Sequence, residues 1–231
     1  KFIKERTTET LGNLFKMHWP YKQLDTSRNV KLLPYHNYLK KLGACFGQMA
    51  GYERPMWFSN KQKPKYKYSF DYQNWYQSAK RECLNTRNNL GFFDLTPFVK
   101  FDFYGRHAHS QLQYLCANNI KNIEGRTTYT QMLNPSGGIE ADLTISCLKK
   151  DYFRIICPAL ARSHNKSHIL KNLTREVKFD DVTDKFSCIG IFGPNSRKFL
   201  TSLFGNFFSK EEFPFSRGKY LKVFNVKIWF Q

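Results

Sequence analysis

Residues 129–144, YTQMLNPSGGIEADLT, decide how this chain folds. Pro135-Ser136-Gly137-Gly138 is a turn sequence, because proline presets φ and glycine accepts positive φ without steric cost. The runs on either side, Thr127 to Leu133 and Ile139 to Leu148, read as strands, so the stretch is a hairpin. On the outgoing strand Glu140 and Asp142 stand two residues apart, which puts both carboxylates on one sheet face. Ile139, Leu143 and Ile145 around them are apolar and are expected to leave little water at the second carboxylate. A carboxylate so placed is costly unless a partner holds it or it does chemistry. Local sequence leaves both readings open: a surface hairpin with a satisfied Asp, or a functional acid.

Outward from the hairpin the order is regular. Upstream, Val99 to Tyr104 alternates with Phe101 and Phe103 on one face, a strand, and Arg106 to Ala117 is a helix with Leu112 and Leu115 facing inward. Downstream come a strand, Tyr152 to Cys157, a helix, Leu160 to Leu173, and a buried strand, Ser187 to Phe192. The expected fold class is α+β, a ferredoxin-like βαββαβ antiparallel sheet with its helices on one face. In GPNSRKFLTSLF, Asn195 or Ser196 can cap a further helix that turns Phe199, Leu200 and Leu203 inward. Its entry, Gly193 to Arg197, suits either an anion or a purely structural turn.

The N-terminal third is less regular. Lys1 to about Lys16 is amphipathic and helical, and a stretch punctuated by Pro20 and Pro34 follows. Tyr35 to Leu42 is a short helix closed by Gly43. After GACFGQMAGYERPMWF (residues 43–58) the segment 59–72 is polar and basic, with KQKPKYK at its centre, and reads as a linker. Gln73 to Asn89 reads as a helix. The chain opens in mid-helix at a Lys and stops in a strand, so both ends are expected to be cuts in a longer polypeptide.

Composition narrows the function classes. A 17% aromatic content excludes a disordered segment. The net charge of +19 raises nucleic acid or an anionic surface as partners, but the cations are scattered and suit an anionic small ligand equally. The fold also resembles that of RNA-recognition domains, with Phe101, Phe103, Tyr152 and Phe153 as stacking candidates. Their third-strand signature is absent, so no nucleic-acid partner is expected. The six cysteines form no C-x-x-C pair and read as reduced, mostly buried thiols. His164/His168 and His107/His109 have metal-like spacing, but no carboxylate or cysteine close in sequence completes either set, and no metal is expected. No apolar run approaches a membrane span. G-x-S-x-G, G-x-G-x-x-G and P-loop patterns are missing.

DLTPFVKF (94–101), YTQMLNPSGGIEADLT and GPNSRKFL (193–200) together resemble the folate-binding aminomethyltransferase fold of glycine-cleavage T-proteins. The same fold forms the C-terminal half of sarcosine and dimethylglycine dehydrogenases. GACFGQMAGYERPMWF is similar to the junction after the flavin domain of those enzymes, with Tyr52 where Trp is usual. KRECLNTRNNLGFFDLTPFVKF, HNKSHIL and EEFPFS point to the sarcosine dehydrogenase branch.

The resemblance implies three segments: 1–58 as the end of a flavin-dependent oxidoreductase domain with its junction, 59–72 as linker, and 73–231 as part of the folate-binding domain. It implies FAD in an upstream half that oxidises the N-methyl group of an N-methylated glycine. Tetrahydrofolate then captures the one-carbon unit, with part of its site in this chain. Electron-transfer flavoprotein is the implied electron acceptor and the mitochondrial matrix the implied location. Asp142 matches the family's catalytic, pterin-holding acid; Tyr129 matches a pterin-contacting Tyr, and Phe98 an apolar lining position. Pro158 stands where the family often has Asn, removing a donor. The regulatory subunit of pyruvate dehydrogenase phosphatase keeps this fold without the dehydrogenase role and is the alternative.

Overall fold

The computed structural model describes residues 1–60 and 64–231, so Lys61 to Lys63, in the basic centre of the expected linker, lie outside the described residues. The chain divides into two compact units, Lys1–Thr96 with Ile189–Ser196, and Pro97–Cys188 with Arg197–Gln231.

The first unit contains helices α1 (Phe2–Asn13) and α2 (His36–Lys41), the hairpin strands β1 (Ala44–Met49) and β2 (Tyr52–Phe58), helix α3 (Tyr76–Asn88) and strand β3 (Gly91–Asp94). Gly43 ends the α2 segment at φ +87°, where a Cβ would meet the Ser59 carbonyl. Glycine is therefore obligatory there. The aromatic-rich stretch 43–58 forms an antiparallel hairpin with Met49 opposite Tyr52. Glu53, 1% exposed, anchors it. Its carboxylate accepts from Arg28 Nε (2.8 Å), Arg28 Nη2 (2.6 Å) and the Asn29 amide (2.8 Å). Burial pushes the Glu53 carboxyl up, and these hydrogen bonds outweigh it, leaving its pKa below the ordinary value. Residues 64–72 contain no helix or strand. Their tyrosines are packed nonetheless, Tyr66 lying 5.0 Å and Tyr68 6.1 Å from the Trp75 ring.

The second unit carries the sheet that the hairpin at 129–144 predicts. Its elements run β4 (Val99–Tyr104), α4 (Ala108–Leu115), β5 (Thr127–Leu133), β6 (Ile139–Lys149), β7 (Tyr152–Cys157), α5 (Arg162–Lys171) and β8 (Lys178–Asp181). The strands form one antiparallel sheet in the order β5-β6-β7-β4-β8. Four of them, β6-β7-β4-β8, reproduce the ferredoxin-like arrangement, and β5 adds an edge strand. Val99, Phe101, Phe103, Leu143, Ile145, Phe153 and Ile155 turn to one face and form a core with Leu112 of α4 and Ile169 of α5. Phe101, Phe103 and Phe153 have no exposed surface, leaving none to stack on a base.

The last strand of this sheet is not the expected one. Ile189–Phe192, here β9, pairs with β3 in the first unit, and Ile189 and Phe192 are half exposed. β8 takes the place in the sheet instead. Its sequence KFDD offers a single apolar residue, Phe179, beside the core, so an edge strand lined with charges left no apolar pattern to read. Beyond β9 follow α6 (Ser196–Phe204) and the hairpin β10 (Lys219–Val223) and β11 (Val226–Phe230). The expectation that α6 turns Leu203 inward also fails, since that side chain is 57% exposed.

Candidate functional site

The sheet face opposite α4 and α5 is polar. Antiparallel register sets Tyr129 opposite Thr144, and Gln131 opposite Asp142. Thr144 faces Ile156, which faces Lys100. Thr144–Ile156 and Val99–Cys157 are the last pairs of these two ladders, so Asp142, Pro158 and Phe98 lie just past them at the same end of the sheet. The three residues singled out in the sequence thus gather at one sheet end, although they come from three different segments.

Their environments differ from expectation in two respects. Asp142 is exposed. Leu143 and Ile145 are buried in the core on the opposite face, because side chains alternate along a strand, and Ile139 is itself 70% exposed. Apolar neighbours in sequence therefore do not dehydrate this carboxylate within the chain. Glu140 and Asp142 also do not act as a pair. Met132 faces Ala141 and Leu133 faces Ile139, so Glu140 is the extra residue of a β-bulge. It is held by Asn134 Nδ2 at 3.1 Å and by His164 Nε2 of α5 at 3.0 Å. Those hydrogen bonds, from Asn134 first, keep its carboxyl below the ordinary value.

Asp142 has different partners. Gln131 Nε2 donates to it at 3.3 Å, and the Asp142 carboxylate, as the acceptor nearest the Tyr129 hydroxyl, pushes that phenol above its ordinary value. The Tyr129 ring is 60% exposed and free to cover a flat ligand. Phe98 is half-buried, and its carbonyl accepts from Lys100 Nζ at 2.8 Å. Pro158 precedes a short 3₁₀ turn, Ala159–Ala161, that leads into α5.

Sequence reasoning passed over Gln131, Asn134 and Lys100. Asn134 accepts from the Ser136 and Gly138 amides and so organises the turn, a role legible in the Asn-Pro-Ser-Gly-Gly order. Each histidine pair does meet a carboxylate, His107 with Glu176 and His164 with Glu140, contacts that only the folded chain creates. Among the described residues no three such side chains converge as a metal site, and no helix is long and apolar enough to cross a membrane.

A deeper polar cluster lies on the same face. Arg154 Nε and Nη2 donate to Asp102 at 2.8 and 3.0 Å, and Tyr152 donates to it at 2.6 Å. The Arg154 guanidinium also lies 4.1 Å from the Phe186 ring centre. With both ions buried and paired, this cluster holds β4 to β7.

Comparison with known proteins agrees with this architecture. The family model described as GCVT N-terminal domain matches residues 35–231. The chain belongs to the GCVT N-terminal domain family. Residues 1–32 match the FAD dependent oxidoreductase central domain, so the GCVT N-terminal domain is preceded here by the tail of an oxidoreductase domain. A 4-methylaminobutanoate oxidase (formaldehyde-forming) of Paenarthrobacter nicotinovorans is 34% identical over 96% of this chain and 27% of its own length. Human mitochondrial sarcosine dehydrogenase is 27% identical over 96% of this chain and 29% of its own length. The mouse pyruvate dehydrogenase phosphatase regulatory subunit is 27% identical over 87% and 24%, respectively. The chain thus spans between about a quarter and a third of these relatives. A glycine cleavage system aminomethyltransferase T from Bartonella henselae shares the GCVT fold, with TM-score 0.63 and 21% identity over 81% of this chain and 46% of that one.

Proposed function

We propose that this chain is the junction and first part of the folate-binding domain of a sarcosine dehydrogenase-like flavoenzyme, acting on an N-methylated glycine. What supports the reading is the Tyr129–Asp142 pair, exposed at one end of a GCVT-type sheet behind an oxidoreductase-type segment. The chemistry of the donor set fits a reduced pterin: a carboxylate accepts from its ring N–H groups, and a phenol ring covers its face. Tetrahydrofolate, when bound, supplies the nucleophilic nitrogen that captures a one-carbon unit.

In this reading Asp142 orients the pterin and takes the proton released as the nitrogen is alkylated. Tyr129 holds the carboxylate in place, and Phe98 closes the apolar side. No step is assigned to FAD here, because the chain holds no dinucleotide-phosphate loop and only the tail of the flavin domain. Segments 1–58, 59–72 and 73–231 serve as flavin-domain end, linker and folate domain. Electron-transfer flavoprotein as acceptor and the mitochondrial matrix as location accompany the assignment, and the name of a mitochondrial relative supports the organelle alone.

The deciding experiment uses the complete polypeptide. Asp142→Ala is expected to divert the one-carbon unit from tetrahydrofolate to free formaldehyde while amine oxidation, followed by dye reduction, continues. Equal loss of both activities would overturn the two-site assignment. Amine oxidation absent from the wild-type protein would favour the regulatory reading, which the similarity to a phosphatase regulatory subunit supports.

A further inference from the structure

We infer that His164 is a positioning residue for the folate hairpin, pinning the β-bulge at Glu140 and thereby keeping Gln131 opposite Asp142. The inference rests on the folate reading above. His164 Nε2 lies 3.0 Å from Glu140 Oε2 and 3.1 Å from the Glu140 backbone carbonyl, so one imidazole nitrogen grips both ends of the bulged residue. A bulge leaves its extra residue outside the strand ladder, and a donor from α5 satisfies that carbonyl. Asn134 completes the clasp, donating to Glu140 while accepting from the Ser136 and Gly138 amides.

The consequence for Asp142 follows from strand geometry. β6 lies between β5 and β7, and β5 is an edge. Should the extra residue migrate along β6 to Asp142, the β5 residues between its old and new positions shift register by one and change face. Gln131, which donates to Asp142, would then be turned away from it. On the turn side the extra residue is confined by the Asn134-capped loop, and toward Asp142 by the grip of His164. The contact is largely solvent-exposed, with His164 and Glu140 side chains 59% and 25% accessible, so it adds little to global stability. Its role is to select a register.

The closing experiment measures tetrahydrofolate binding by calorimetry in the complete polypeptide, with amide exchange at Gly138 to Asp142 and thermal unfolding recorded alongside. His164→Ala is expected to weaken binding about threefold to fivefold, to speed exchange across the bulge, and to leave the melting temperature nearly unchanged. His164→Gln, which keeps a side-chain N–H donor, is expected to restore affinity. Wild-type affinity in His164→Ala, or a loss that His164→Gln fails to recover, overturns the positioning role. Asp142→Asn serves as the control: if it too binds normally, the folate reading itself fails, whereas weak binding in Asp142→Asn with normal binding in His164→Ala refutes only the clasp.

Discussion

Tyr129 and Asp142 lie diagonally across β5 and β6, which sets the phenol beside the exposed acid. A phenol that donates to a carboxylate both orients it and competes with any ligand for its lone pairs. Tyr129→Phe keeps the ring and removes the donor, so tetrahydrofolate affinity in the complete polypeptide is expected to fall severalfold, and Tyr129→Ala to lower it further. A Phe variant as weak as the Ala variant would assign the whole effect to the hydroxyl, and unchanged affinity in both would remove Tyr129 from the site. Glu53 is the contrasting carboxylate, buried and triply hydrogen-bonded within the fold. Its folded pKa lies below the unfolded value near 4.5, so its stabilisation is present above that pH and is lost as pH falls below it. Glu53→Gln is expected to flatten the acid limb of the stability profile of the chain and to destabilise it at pH 7. A variant with the same acid limb as the parent would show that other carboxylates govern it. Asp142 stood out in the sequence as a candidate through its motif, whereas nothing marked Glu53. Their partners were not legible, because Arg28 and Gln131 reach these carboxylates only through tertiary and cross-strand geometry.

At the scale of the element, the β5–β6 hairpin shows where local pattern suffices and where it fails. Turn chemistry located the tip, and Gly137 adopts φ +80° as a turn glycine should. No atom lies within 4 Å of where its Cβ would be. Gly137→Ala therefore costs only backbone strain, about 1 kcal/mol, read as a small fall in melting temperature with the fold retained. A loss of several kcal/mol would mean that the turn differs from this one. The bulge escaped prediction because period-two alternation places Glu140 and Asp142 on one face, and nothing in ADL or GIE marks an extra residue. β8 escaped for a related reason. An edge strand with charges on both sides carries no apolar signal, while IGIF, which does, pairs in the other unit.

Across the whole molecule, the long apolar strands β4, β6 and β7 announced the sheet, and the GCVT match follows from their order and the motifs between them. What the chain does as a unit depends on what it contains. Residues 1–32 match only the FAD dependent oxidoreductase central domain, and no G-x-G-x-x-G turn exists anywhere in the 231 residues to bind a dinucleotide phosphate. The isolated chain is therefore expected to purify without flavin absorbance and to show no sarcosine-dependent dye reduction, even with FAD added. It should nevertheless unfold cooperatively, because the second unit has a complete core of its own, and Phe153→Ala, at a site with no exposed surface, should cost that unit about 3–5 kcal/mol. The two measurements separate folding from function. A chain that melts cooperatively, weakens with Phe153→Ala and remains flavin-free supports a folded domain that needs the rest of an oxidoreductase to act. Flavin absorbance or amine-dependent dye reduction by the 231 residues alone would instead place the oxidation site within them.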